Sequence, residues 1–423
     1  MTAAQQSLRQ PPLAIVLRVV LPFACGYFLS YGFRTVNAII SPDLTASLGL
    51  NATDLGLLTS VYFLAFASFQ LPLGILLDRF GPRRVEASLL LFAALGAVLF
   101  ALSDARAGLV IGRALIGLGV SACLMASFKA FVIWFPPERL PMVNGWVLAA
   151  GGLGALTATA PVEAALHFTD WRGLFWGLGI VTFIVAVAIF VIVPERESHG
   201  SVGNLRTQLR GLIRIYSDSY FWRIAPVTVL SQTAFLAVQG LWAGPWLKDV
   251  AGLSRAEVAN HLFFTAAAMV TGFLLMGNVA YRLSRLGIRN VVVAGAGMLI
   301  FMVVQLCLTL QLTALTLPLW VLFGFFGTSG LLSFAVLSHY FPAELSGRVS
   351  TAVNVMVFVS AFIAQWGIGA IVNFWPTADG YEPRGYQAAF ALVLALQGLT
   401  FVWFIWGEQR QSRRRDDWGG RER

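Results

Sequence analysis

Charge is what this 423-residue chain lacks most: only 12% of its residues are Asp, Glu, Lys or Arg, about half the share of an average soluble domain. The deficit runs along the whole length, 58% of the residues are hydrophobic, and the mean hydropathy is +0.76. Such a chain suits a surface facing lipid better than a buried core. Cysteine is scarce too. Cys25, Cys123 and Cys307 each lie inside an apolar run, with neither metal-ligand spacing nor a disulfide framework, so they read as packing residues and no metal is expected. No Ser/His/Asp, His/Cys or paired-carboxylate set falls at a shared depth, which argues against an enzyme. The sequence has no Gly-x-x-x-x-Gly-Lys-Ser/Thr loop, so neither ATP-driven work nor a bound cofactor is expected. The net charge of +9 is not one basic patch. It is spread as short clusters between apolar runs, which argues against nucleic acid.

What is present is a series of apolar runs near 20 residues, the length that crosses a bilayer core. Charge-free intervals of this size are Leu55–Leu77, Leu140–Val162, Gly173–Pro194, Ile224–Leu247, Val258–Tyr281 and Gly385–Gly407. The stretch from Asn290 to Ala343 holds 54 residues without a formal charge. As one helix it would run about 80 Å, so it must fold back, most simply near Gln311–Leu319. Spans near 17–41, 86–103, 108–134 and 347–374 bring the total to twelve. The first is read as a retained helix rather than a cleaved signal. With the N-terminus cytoplasmic, 21 of the 29 Lys/Arg fall in inside loops and tails and five outside, while Arg34, Arg113 and Lys129 lie within spans. That bias places both termini inside.

The chain also repeats itself, the pattern of two-fold transporter folds. Pro42-Asp-Leu with Gly49-Leu-Asn-Ala-Thr-Asp54 returns as Pro245-Trp-Leu with Gly252-Leu-Ser-Arg-Ala-Glu257, offset by 203. Asn51 with Asp54, and Ser254 with Glu257, read as helix N-caps with an acid three residues on. Gly74 maps on to Gly277, and Phe135-Pro-Pro-Glu138 on to Phe341-Pro-Ala-Glu344. The expected organisation is a six-helix bundle over 1–194, a basic linker over 195–223, a second bundle over 224–407 and a basic tail over 408–423.

Between the second and third spans stands Gly74-Ile-Leu-Leu-Asp78-Arg79-Phe80-Gly81-Pro82-Arg83-Arg84. It closely resembles the signature loop of the major facilitator superfamily, and the resemblance covers nearly the whole chain. The resemblance implies an all-α polytopic membrane protein, twelve transmembrane helices in two pseudo-symmetric six-helix bundles. It also implies secondary transport of a small molecule by alternating access, in a bacterial inner membrane, with one chain, a monomer, in contact with the lipid bilayer. In that family the aspartate latches the cytoplasmic gate. The expected gating residues are Gly74, Asp78, Arg79, Gly81, Arg83 and Arg139, with the start of the eleventh span near Gly347–Ser350 as partner. The competing explanation is a solvated loop that only fixes topology. Arg113 with Gly117 and Gly119 resembles the family's fourth-helix arginine motif. The fifth-span glycines partly resemble the motif of proton-drug antiporters, but Ala158-Thr159-Ala160-Pro161 departs from it.

Charges within spans default to functional candidates. Tyr27, Ser30, Tyr31, Arg34 and Asn37 share one side of the first span, and Arg113 reaches a comparable depth in the fourth. Two arginines with no carboxylate at that depth favour an anion, because a carboxylate fits the planar guanidinium fork. The competing explanation makes Arg113 structural and pairs Arg34 with carbonyls. Lys129 lies about 160° around the helix from Arg113 and is expected to snorkel. In the second half the polar candidates are Gln232, Gln239, Asn354 and Gln365, with Ser329 and Ser333, which serve equally well as interhelical hydrogen bonds. The expected substrate site is thus Arg34, Arg113, Tyr31, Asn37, Gln239 and Asn354. Proton-driven relatives usually keep a membrane carboxylate, and Glu163 is the candidate for coupling protons. The leading expectation is a transporter of a small organic anion. A drug or siderophore-like exporter and a membrane sensor on the same scaffold are the alternatives.

Overall fold

The computed structural model describes residues 15–195, 205–342 and 345–419. Glu344 of the repeated motif and the outer ends of both tails lie outside the described residues. Among the described residues eleven helices are long and apolar enough to cross a membrane, and the longest, Ala52–Leu102, is two helices merged across a break at Gly81. Twelve spans result. They are α1 (Val16–Thr35, continued by Asn37–Leu48), α2 (52–80), α3 (82–102), α4 (Arg106–Trp134), α5 (Pro137–Thr157) and α6 (Trp171–Ile192) in the first half. In the second half they are α7 (Phe221–Asp249), α8 (Arg255–Arg285), α9 (Asn290–Thr309), α10 (Thr313–Tyr340), α11 (Ser346–Val372) and α12 (Pro383–Gly407). An amphipathic linker helix, Leu205–Tyr216, joins the halves.

The helix boundaries have local causes. Gly81 adopts φ 77°, a left-handed conformation that costs an ordinary residue about 1–2 kcal/mol, and Pro82 follows it, so α2 cannot run on into α3. The charge-free stretch folds back where expected, at Gln311, whose φ is 58°. Both repeated caps form as capping boxes. Asn51 Oδ1 accepts from the Asp54 amide at 2.8 Å, and the Ser254 amide donates to Glu257 Oε2 at 2.8 Å. The preceding Gly49 and Gly252 are both left-handed, so the repeat extends to backbone conformation.

Within the first half α3 packs along α4 and α6, and α1 lies on α5, where Gly154 meets the Phe28 backbone so closely that a side chain has no room. Within the second half α8 packs on α10 and α7 on α11 and α12. Gln305 of α9 and Gln397 of α12 exchange amide hydrogen bonds at 3.0 and 2.9 Å, satisfying groups that hydrocarbon could not. The halves meet through α1 and α7, α2 and α11, and α5 and α8. Their closest contacts crowd toward the end opposite the linker, the far side, where Gly244 lies against the Ala38 carbonyl and Gly369 against the Ala52 carbonyl.

Candidate functional site

The cavity between the halves grows from one face of α1. Tyr27, Ser30, Tyr31 and Arg34, spaced three and four apart, line a volume of about 360 Å³ together with Gln70 and Phe66 of α2. The second half contributes Gln232 and Phe235 of α7 and Asn354 and Phe358 of α11. Among the described residues Arg34 is the one charged residue in that lining. It is 7% exposed, and its Nε has no hydrogen-bond partner among the described residues. Its guanidinium stands 4.5 Å from the Tyr31 ring centre, 5.4 Å from Phe358 and 5.6 Å from Phe66. Ring faces hold a cation and leave that Nε–H unused. An anion entering the cavity therefore meets a positioned guanidinium and no competing carboxylate.

Of the six substrate-site residues expected from the sequence, Arg34, Tyr31 and Asn354 line this cavity, while Arg113, Asn37 and Gln239 do not. Arg113 is the main correction. It is fully buried behind Tyr62, 5.3 Å from that ring, and donates from Nη1 to the Phe33 carbonyl at 3.0 Å. Tyr62 in turn donates to the Ser30 carbonyl at 3.1 Å. Arg113 thus braces the α1 backbone beside Arg34 rather than facing the cavity, because the bulk of Tyr62 stands between. Asn37 ties α1 to α2 through Thr59 Oγ1 at 2.8 Å, and Gln239 reaches Met269 Sδ of α8 at 3.4 Å.

At the linker side, Asp78 takes an ion pair from Lys129 of α4. Lys129, expected to snorkel, ends on this carboxylate, and both side chains are partly exposed. Arg83 donates from Nε to the Phe190 carbonyl at 2.7 Å, Arg84 pairs with Glu195, and Arg79 is exposed over the Phe80 ring. These bonds tie the signature loop to the end of α6. Gly74 is half-buried in α2, and Arg139 sits in the turn Pro137–Arg139 that opens α5.

The far side is held by charge. Arg255, first residue of α8, places Nη1 and Nη2 each 2.7 Å from the two oxygens of Asp43 and Nε 2.7 Å from Glu163 Oε2. Glu163, expected as a proton carrier, is therefore one arm of an ion-pair cluster joining the halves. Beneath the cluster a second cavity of about 690 Å³ is lined by Ser41, Glu163, Lys248, Asp249 and Tyr381, among others. Tyr381 accepts from the Ala52 amide at 2.6 Å, and burial pushes its hydroxyl above the usual tyrosine value.

Sequence reasoning missed Asp43 and Arg255, yet a signal existed. Asp43 stands where the second copy of the repeat has Trp246, and Arg255 where the first has Ala52. The two residues that meet both stand at departures from the repeat. Glu86, at the edge of a span beside two arginines in sequence, was not among the candidates and is fully buried in α3.

A family model for the Major Facilitator Superfamily matches residues 23–365. The chain belongs to the Major Facilitator Superfamily. A protein of Escherichia coli (strain K12) named "Probable L-galactonate transporter" is 26% identical over 87% of this chain and 85% of its own. The same organism's "Probable galactarate/D-glucarate transporter GudP" is 23% identical over 91% and 92%. Its "Hexuronate transporter" is 24% identical over 60% of this chain and 62% of its own. The match to an uncharacterized transporter of Bacillus subtilis (strain 168), at 30% identity, spans only 39% of that protein. Among solved structures, a bacterial homolog of the human lysosomal transporter Spinster, inward-facing and occupied, superposes with a TM-score of 0.73 at 14% identity. It covers 95% of this chain and 98% of its own. The nucleoside transporter NupG gives 0.73 at 11%, covering 91% and 99%. This superfamily member is a multi-pass membrane transporter, and its named relatives are transporters rather than enzymes.

Proposed function

We propose that the chain is a secondary transporter of a small organic anion of the sugar-acid type, working by alternating access with protons as the coupling ion. The observation that carries this reading is Arg34, the single charge lining a cavity built jointly by both halves. A carboxylate takes the guanidinium fork, while Ser30, Gln70, Gln232 and Asn354 offer donors and acceptors that suit sugar hydroxyls. Relatives named for galactonate, hexuronate and glucarate point to the same chemistry.

The linker side is taken as cytoplasmic because the basic loops collect there. The cavity lining runs toward that side as far as Gly277 of α8 and Ala335 of α10, while the Arg255 cluster closes the other. The shape is then inward-facing, with Asp43, Glu163 and Arg255 as the outer gate and Asp78 with its neighbours as the inner one. One chain completes the cavity, so a monomer suffices.

Thermal unfolding of the purified protein against a ligand panel tests the reading. A ligand at a hundred times its Kd adds about 2.7 kcal/mol. Glucuronate, galactonate and glucarate should stabilise it, and the matching neutral sugars should not. Stabilisation by organic cations alone would remove the anion reading. The rings of Tyr27, Tyr31, Phe66, Phe235 and Phe358 in the lining favour one second reading, an exporter of aromatic compounds. Stabilisation by uncharged aromatic compounds, but by none of the acids, would select it.

A further inference from the structure

We infer that Glu86 of α3 carries the coupled proton, an assignment that rests on the proton-coupled reading above and names the group responsible.

Glu86 lies four residues after Pro82, beside Arg83 and Arg84, where a carboxylate would ordinarily reach water and pair with a guanidinium. It does neither. Its residue is 0% exposed, and neither Oε1 nor Oε2 has a nitrogen or oxygen partner among the described residues. Arg83 and Arg84 are turned instead to the Phe190 carbonyl and to Glu195. The carboxyl points inward against Gly26 of α1, where a Cβ would collide with Oε1, and the Cys123 thiol of α4 lies alongside as a weak donor. Three helices of the first half therefore enclose one carboxyl.

Other carboxylates near the halves' contacts have partners: Asp78 has Lys129, Asp43 and Glu163 share Arg255, and Asp249 accepts from Tyr386 at 2.6 Å. An unpaired ionised carboxylate in a dry interior is very costly. A side chain serving only to pack has no need of two acid oxygens there. The neutral acid is the form this enclosure tolerates, and the anion forms only when water or a cation reaches it.

The titratable groups facing Glu86 are few. From α4 there is Cys123, whose thiol adjoins the carboxyl; Lys129 of the same helix is held by Asp78. From α1, Tyr27 adjoins Gly26, and Tyr31 and Arg34 follow one and two turns on. On α3 itself Arg83 and Arg84 are engaged as described. The two residues that cover the carboxyl, Gly26 and Cys123, each adjoin a residue of the cavity lining, Tyr27 and Leu124.

The cycle follows from charge. With the cavity open to the outside, the Glu86 carboxylate binds a proton and becomes the acid, and the anion binds Arg34. With the cavity open to the cytoplasm, the anion leaves Arg34 and the acid gives its proton to water.

The test uses the full chain in proteoliposomes carrying a trapped pH indicator, with labelled glucuronate as the probe. Wild type under an inward proton gradient should accumulate glucuronate and acidify the lumen. Glu86→Gln should lose both accumulation and acidification while still exchanging glucuronate between pools at equal pH. Accumulation by Glu86→Gln as strong as wild type would overturn the assignment, and so would a folded variant that loses exchange as well. Glu86→Asp keeps the acid on a shorter stem and should stay coupled with a displaced pH midpoint; an unchanged pH profile also overturns it. A wild type that neither accumulates nor acidifies with any sugar acid sinks the parent reading. A coupled wild type beside a coupled Glu86→Gln sinks only Glu86.

Discussion

Arg255 grips Asp43 at two points, Nη1 to Oδ1 and Nη2 to Oδ2, both at 2.7 Å, across 212 residues of sequence. Asp43 belongs to the first half and Arg255 to the second, so the pair holds together the end of the molecule opposite the linker. Both side chains are partly exposed, and a pair of that kind is worth about 1 kcal/mol or less.

Asp43→Asn should therefore shift the ratio of far-side-closed to far-side-open molecules by up to roughly fivefold. Spin labels on α1 and α8 near this end would report a longer distance component in the variant. Glu163→Gln should shift it in the same direction while leaving pH-driven accumulation in place. A distance distribution identical to wild type would exclude a gating role for the cluster.

Replacing Arg34 should act on affinity. Arg34→Gln loses the charge-assisted bonds to a carboxylate, about 2 kcal/mol or roughly thirtyfold in Kd. Arg34→Lys keeps the charge without the fork and should fall between. Titration calorimetry with glucuronate checks both, and equal affinity in Arg34→Gln would place the anion elsewhere.

The Asp78–Lys129 pair should behave as one unit. Asp78→Asn and Lys129→Met should each slow transport, and the double variant should be less impaired than the two losses combined. The interaction energy is expected on the order of 1 kcal/mol. Strict additivity of the rates would mean the pair does not act together during the cycle.

Gly81→Ala places a side chain at φ 77°, which costs about 1–2 kcal/mol. It should lower the unfolding temperature or reshape the loop that carries Arg83 and Arg84 to α6. An unfolding temperature and uptake rate both equal to wild type would show that the break between α2 and α3 tolerates another conformation.

Span number, the fold-back at Gln311, both capping boxes and the cavity face of α1 were legible in the sequence, for one reason. Each depends on residues within a few turns of one another, where apolar run length, helical spacing and a side chain capping its own helix leave a periodic trace. Tyr27, Ser30, Tyr31 and Arg34 line the cavity because helical geometry already set them on one face. The repeat likewise needed only comparison of the chain with itself.

Partnership between charges was settled by the tertiary structure alone. Lys129 finds Asp78 across 51 residues and Arg255 finds Glu163 across 92, and Arg113 is kept from the cavity by the ring of Tyr62. Glu86 sits beside two arginines in sequence and touches neither, since helix rotation turns its carboxyl inward to Gly26. Electrostatic energy depends on distance in space and on the water excluded around each group. Neither quantity is written in the spacing of residues along the chain.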